Sequence, residues 1–178
     1  MKFTETGLKG AFVIEMETRE DERGFFARAF CRKEFESHGL SPDIVQSNIS
    51  FNKTRGTLRG MHYQIKPHEE VKMIRCTRGA VYDVIIDLRK GSPTHKQWIS
   101  MELTEDNYKM LYIPEGFAHG YITLKDKSDV FYLVTQFYAP GFESGVRYND
   151  PVFGIQWPKD VPVTLVTEKD RTWPDYMD

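Results

Sequence analysis

Short extended runs dominate this chain: between residues 11 and 137, β-branched, aromatic and other apolar residues gather in ten segments of five to nine residues, without stretches of helical period. The predicted strands are 11–17, 24–30, 44–51, 56–64, 71–78, 80–87, 97–103, 108–113, 120–124 and 130–137. Asp21-Glu22-Arg23-Gly24, Lys90-Gly91-Ser92-Pro93 and Ala139-Pro140-Gly141 punctuate them, with Gly and Pro suited to tight turns and hostile to helix continuation. Only 33–38 reads as a short helix. So many strands without intervening helices favour a mainly β architecture, a closed sandwich or jelly-roll barrel that buries its sheet edges and can hold a ligand inside.

At 178 residues, with no linker-like composition, internal repeat or low-complexity tract, the chain is expected to form one domain spanning 1–178. Lys and Arg total 24 against 26 Asp and Glu, a formal net charge of -2, so no broad field draws nucleic acid or an anionic membrane. Any positive charge that matters is local. Cys31 and Cys76 lack C-x-x-C spacing, Met1-Lys2-Phe3-Thr4-Glu5 lacks the apolar core of a signal peptide, and no apolar run reaches membrane-spanning length. These features predict a reduced cytoplasmic protein with structural thiols.

Leu58-Arg59-Gly60-Met61-His62-Tyr63-Gln64 sets a histidine near a fixed cation within a predicted strand. With an ordinary pKa of about 6.5, an imidazole beside an anion-binding arginine suits proton transfer on a negatively charged substrate. The two-residue strand period puts Leu58, Gly60, His62 and Gln64 on one side and Thr57, Arg59, Met61 and Tyr63 on the other. Either a bulge re-aims one of Arg59 and His62, or Arg59 serves a different site across a subunit contact. In Tyr82-Asp83-Val84-Ile85-Ile86-Asp87 the same period predicts a polar face bearing Asp83, Ile85 and Asp87. Asp87 reads as a solvated strand end, whereas Asp83 either bonds a neighbouring strand or faces a polar cavity.

A strand offers two ligands to one ion most easily at i and i+2, but the positions two away from His62 are Gly60 and Gln64, and those from His119 are Phe117 and Tyr121. His68 and Glu69 fall in a Pro-containing loop expected to face solvent. A metal is therefore not expected. No Gly-x-Ser-x-Gly elbow, electropositive cysteine or phosphate-cradling glycine motif is present either. What remains is acid-base work by His, Tyr, Lys and Asp on a small anionic ligand.

Seven runs occur in order: Asp21-Glu22-Arg23-Gly24-Phe25-Phe26, Leu58 to Gln64, Gly91-Ser92-Pro93-Thr94, Ile113-Pro114-Glu115-Gly116-Phe117-Ala118-His119-Gly120, Asn149-Asp150-Pro151, Gly154-Ile155-Gln156-Trp157-Pro158 and Glu168-Lys169-Asp170. Together they resemble the dTDP-4-dehydrorhamnose 3,5-epimerase family over almost the whole chain. The resemblance implies a cupin-type jelly-roll β-barrel that inverts carbons 3 and 5 of a dTDP-linked 4-keto-6-deoxyhexose without metal or redox cofactor. It further implies a homodimer that exchanges its first strands, so that Arg23 and Phe26 complete the partner's pocket.

By the same resemblance His62 is the base, Asp170 the carboxylate holding its ring, Lys72 the cation near the enolate, and Tyr132 the acid on the opposite face. Arg23 and Arg59 correspond to residues that clasp the diphosphate, and His119 to a substrate-binding or enolate-polarising position. Phe26, Gln46, Asn48, Tyr138, Glu143 and Lys169 correspond to surrounding nucleotide or sugar contacts. Arg28 and Ser47 stand where the family usually has acidic residues, in its nucleotide-contacting part, and leave the nucleobase open. Leu133 and Phe137 depart from it near the acid. A mono-epimerase, an epimerase of a differently activated 4-keto sugar, and a non-catalytic sugar-binding cupin remain the alternatives.

Overall fold

The computed structural model describes residues 1–177. In chain order its elements are β1 (Lys2–Glu5), β2 (Phe12–Glu15), β3 (Thr18–Asp21), β4 (Gly24–Ala27), α1 (Arg32–Ser37), β5 (Gln46–Asn52), β6 (Leu58–Gln64), β7 (Lys72–Arg78), β8 (Ala80–Asp87), β9 (Trp98–Thr104), β10 (Lys109–Ile113), β11 (Phe117–Thr123), β12 (Ser128–Val134), β13 (Glu143–Gly145) and α2 (Glu168–Arg171). A six-stranded sheet runs β1-β2-β10-β7-β12-β5, a five-stranded sheet runs β13-β6-β11-β8-β9, and β3 with β4 makes a separate ribbon. The strand pairs are antiparallel, and the two large sheets form the jelly-roll barrel that the strand pattern predicts.

Alternation explains how both faces of each sheet are buried. Ile74, Cys76, Leu111 and Val130 of the six-stranded sheet meet Val81, Ile85, Leu103 and Phe117 of the five-stranded one in an apolar core between the layers. Outside the first sheet, Met73, Met110 and Tyr112 pack under Phe35 of α1. Outside the second, Met61, Val84, Ile86 and Ala118 pack under Val146 and Phe153 from the chain's last third. Full burial of each such aliphatic side chain contributes about 1.5–3 kcal/mol.

Each of the ten predicted strand segments overlaps a strand, and helix 33–38 appears one residue earlier as α1. The polar face predicted for 82–87 is corrected: Asp83 and Asp87 are buried in the interior beside Ile85, and neither is solvated. Asp87 accepts hydrogen bonds from Arg89 Nε at 2.9 Å, Ser92 Oγ at 2.6 Å and Thr94 Oγ1 at 2.6 Å. Burial opposes its ionisation, but these donors hold the carboxyl far below the usual range. Cys31 and Cys76 are free thiols, and burial pushes the Cys76 thiol up to about 11. Among the described residues no helix is long and apolar enough to cross a membrane.

Candidate active site

Between the sheets, apolar packing gives way to two adjoining cavities of about 380 and 160 Å³, whose walls share His62, Lys72 and Tyr132. The larger is completed by residues including Gln46, Asn48, Gln64, Glu70, Tyr138 and Glu143, and the smaller by residues including Ser50, Arg59, His119 and Tyr121. Strand period supplies these walls: Gln46, Asn48 and Ser50 alternate inward on β5, as do Lys72 and Ile74 on β7 and Val130, Tyr132 and Val134 on β12. His62 stands on the five-stranded sheet and Tyr132 on the facing six-stranded one.

A bulge resolves the two readings of Arg59. His62 pairs with His119 and Arg59 with Tyr121, so three steps along β6 match two along β11, and Arg59 joins His62 on the cavity face. Glycine makes this possible. Gly60 has φ +126°, and a Cβ there would stand 2.4 Å from Gly120 Cα, a contact no substituted residue can make without moving backbone. Arg59 Nε is tied back to Asn52 Oδ1 at 2.8 Å.

His62 Nε2 lies 2.6 Å from Asp170 Oδ1. Asp170 sits on α2, whose N-cap Thr167 accepts from the Asp170 N–H, and its Oδ2 accepts from the Gly60 N–H at 3.3 Å. Burial works against the charge, but His62, Gly60 and Thr167 hold the Asp170 carboxyl below its usual value. An ionised Asp170 fixes the proton on Nε2, which leaves Nδ1 as the basic nitrogen. The tail that carries Asp170 is seated by Trp173, whose ring lies against Gly145, the β13 partner of His62.

Lys72 Nζ forms an ion pair with Glu70 Oε1 at 3.2 Å and donates to the His62 carbonyl at 3.5 Å. Burial, then the charge of Glu70, pushes the Tyr132 phenol up, with Arg59 opposing. At the larger cavity's rim Tyr138 O–H donates to Glu143 Oε2 at 3.1 Å, and Lys169 pairs with the same carboxylate. Deeper in, His119 Nε2 bonds Asp83 Oδ2 at 2.8 Å. Burial pushes the Asp83 carboxyl up, against His119 and Lys72. Among the described residues, no three His, Cys, Asp or Glu side chains gather as a metal site.

The predicted His62, Asp170, Lys72, Tyr132, Gln46, Asn48, Arg59, His119, Tyr138, Glu143 and Lys169 thus converge on one region, whereas Arg23 and Phe26 stand apart on the β3–β4 ribbon. Arg23 bonds Asp21, and Phe26 is 72% exposed. Of the departures, Arg28 pairs with Glu34, and Leu133 lies on the opposite face of β12 from Tyr132, packed in the outer core. Sequence does not single out Glu70, although its place two residues before Lys72, in the extended run that leads into β7, is the signal that finds it. Asp83, which the sequence leaves between two roles, takes the first: it bonds His119 on the neighbouring strand and lines neither cavity.

The family model described as dTDP-4-dehydrorhamnose 3,5-epimerase matches residues 5–178. A dTDP-4-dehydrorhamnose 3,5-epimerase of Methanothermobacter thermautotrophicus is 42% identical over 97% of this chain and 92% of its own length. The crystal structure of a Bacillus anthracis dTDP-4-dehydrorhamnose 3,5-epimerase with TDP and PPi bound superposes with a TM-score of 0.93, at 40% identity, covering 98% of this chain and 99% of that one. A 3'-monoepimerase from Streptomyces bikiniensis, solved with dTDP-quinovose, reaches a TM-score of 0.87 at 32% identity over 96% of this chain and 85% of its own. A barrel holding opposed imidazole and phenol groups, matched along its whole length to such enzymes, belongs to the dTDP-4-dehydrorhamnose 3,5-epimerase family.

Proposed function

We propose that this epimerase takes a dTDP-linked 4-keto-6-deoxyhexose and inverts it at carbons 3 and 5, with His62 as base and Tyr132 as acid. The ketone at carbon 4 acidifies the hydrogens on both neighbouring carbons, because the carbanion left behind is delocalised onto oxygen as an enolate. Nδ1 of His62 removes the proton, and Asp170 stabilises the imidazolium that results. Lys72 lies between the two groups, where its ammonium stabilises the enolate oxygen more than the ketone. Tyr132 then protonates the opposite face, which turns deprotonation into inversion. The net change is redox-neutral, so acid-base groups suffice.

The observation that carries this reading is the imidazole and the phenol in facing sheets, lining one cavity with Lys72 in the same wall set. A binding module needs no base opposed to an acid. Arg59, His119 and the amides of Gln46 and Asn48 supply donors for the diphosphate and sugar. Arg23 and Phe26 are assigned to a second subunit's pocket in a strand-exchanged homodimer, a role suited to their exposure on the ribbon. Residues 1–178 are read as one epimerase domain, acting in the cytoplasm, in keeping with its free thiols.

Solvent deuterium incorporation into dTDP-4-keto-6-deoxyglucose tests the assignment. The wild type exchanges two positions, Tyr132→Phe still exchanges but forms no epimer, and His62→Ala does neither. Exchange that survives in His62→Ala removes His62 from the base role, and exchange at a single position makes the enzyme a mono-epimerase.

A further inference from the structure

One charged side chain in the chamber has no part in that chemistry. Glu70 shares the inward face of the β7 strand line with Lys72 and Ile74, and its Oε1 stands 3.2 Å from Lys72 Nζ. Both side chains are nearly dehydrated, at 12% and 13% exposure, and Glu70 lines the same cavity as Tyr132. A carboxylate beside an ammonium offsets part of what that ammonium gives an enolate, and dehydrating it costs free energy as well. Its presence therefore calls for a compensating service to the site.

Resting on the catalytic reading above, we propose that Glu70 is a positioning residue for the acid half of the reaction, pinning the Lys72 ammonium where the two cavities meet and keeping the Tyr132 phenol in its proton-bearing form. A phenolate cannot reprotonate an enolate. The Lys72 ammonium has three donors, of which the His62 carbonyl engages one while Glu70 holds the charge in place, so donors remain for the ketone oxygen. Two fixed cations share the smaller cavity with the phenol, Arg59 from β6 and Lys72 from β7, beside the imidazoles of His62 and His119. Asp83 is occupied with His119, and Glu143 at the rim with Lys169, which leaves Glu70 as the anion committed to the junction. Burial and Glu70 push the phenol up while Arg59 pulls it down, as this assignment requires.

Tyrosinate absorbance, with the Tyr132→Phe enzyme subtracted, follows that phenol alone. Glu70→Gln is expected to lower its titration by about one pH unit, as removal of a nearby charge in a half-dehydrated site does. The alkaline limb of epimerisation moves down with it, and Glu70→Asp restores both. Glu70→Ala serves the same comparison should the glutamine variant not fold. An unmoved titration, or a moved titration with an unmoved alkaline limb, overturns the proposal. If instead Tyr132→Phe still forms epimer, the catalytic reading fails, while the absorbance titration still judges the action of Glu70 on the phenol.

Discussion

Two histidine–aspartate pairs sit side by side in this barrel, His62 and His119 being directly opposed on β6 and β11, yet their surroundings give them different chemistry. The Asp170 carboxylate receives His62 and the Gly60 N–H, and its environment holds it below its usual value despite its burial. Asp83 has His119 as its hydrogen-bond partner, its Oδ1 is buried with none, and burial pushes it up. The His62 side chain is 40% exposed and the His119 side chain 10%. Identical residue types therefore leave one imidazole open to the chamber and hold the other largely buried in its wall. The Asp170 carboxylate accepts from two donors and the Asp83 carboxylate from one, and that difference, not the presence of a pair, separates the two sites.

Removing charge from each carboxylate in turn is the strongest way to break that distinction. Asp170→Asn should lower kcat about 10³- to 10⁴-fold, since an amide no longer fixes the imidazole tautomer or offsets imidazolium charge. Asp83→Asn should cost less than about tenfold, or about 1.4 kcal/mol in the barrier. Steady-state epimerisation measures both. Equal losses would make the two pairs functionally equivalent and undo the assignment of His62 alone as base.

The scaffold beneath the pairs gives the next largest effect. Gly60→Ala places a Cβ 2.4 Å from Gly120 Cα at a φ of +126°, so the bulge that turns Arg59 toward His62 cannot persist unchanged. A loss of about 3 kcal/mol, seen as a melting temperature lower by roughly 10 °C, is expected. A variant that melts like the wild type would show that β6 reaches this register without glycine.

How far these features are legible in sequence depends on the range of the interaction that fixes each one. Strands 80–87 and 71–78 declare themselves because apolar residues fall at both odd and even positions over seven or eight residues, as packing on both faces requires. β3, Thr-Arg-Glu-Asp, contains no apolar residue and exists through pairing with β4. The three-residue β13 and the single turn of α2 are likewise too short to carry a period, and α2 rests on the Thr167 cap and the Asp170–His62 bond. The resemblance supplies the roles of His62, Lys72, Tyr132 and Asp170, whereas residue pattern alone leaves Arg59 on the wrong side of its strand. The bulge depends on two glycines meeting 60 positions apart, Gly60 and Gly120, which no local period records. Asp87 misleads for a related reason: the turn after it folds Arg89, Ser92 and Thr94 back onto a carboxylate that its strand-end position suggests is solvated.

The smallest effect separates the pairs by the sign of their contribution to stability. Asp170 has a lowered carboxyl, so its stabilisation is present above the unfolded-state value of about 3.9 and fades as pH falls through the lower folded-state value. Asp83 has a raised carboxyl, so its contribution is full below about 3.9 and is lost as pH rises through the higher folded value. At neutral pH the unfolded chain ionises Asp83 freely while burial resists its ionisation in the native state, so Asp83→Asn, whose amide oxygen still accepts from His119, should raise the melting temperature by about 2–4 °C at pH 7. Asp170→Asn should lower it there. Both differences shrink toward pH 3, where both carboxyls protonate in the unfolded chain, so thermal melts from pH 7 to pH 3 should converge from opposite sides. Shifts of the same sign at pH 7 would mean that the two carboxylates are solvated alike, and the contrast between a base and a wall would then need a cause other than burial.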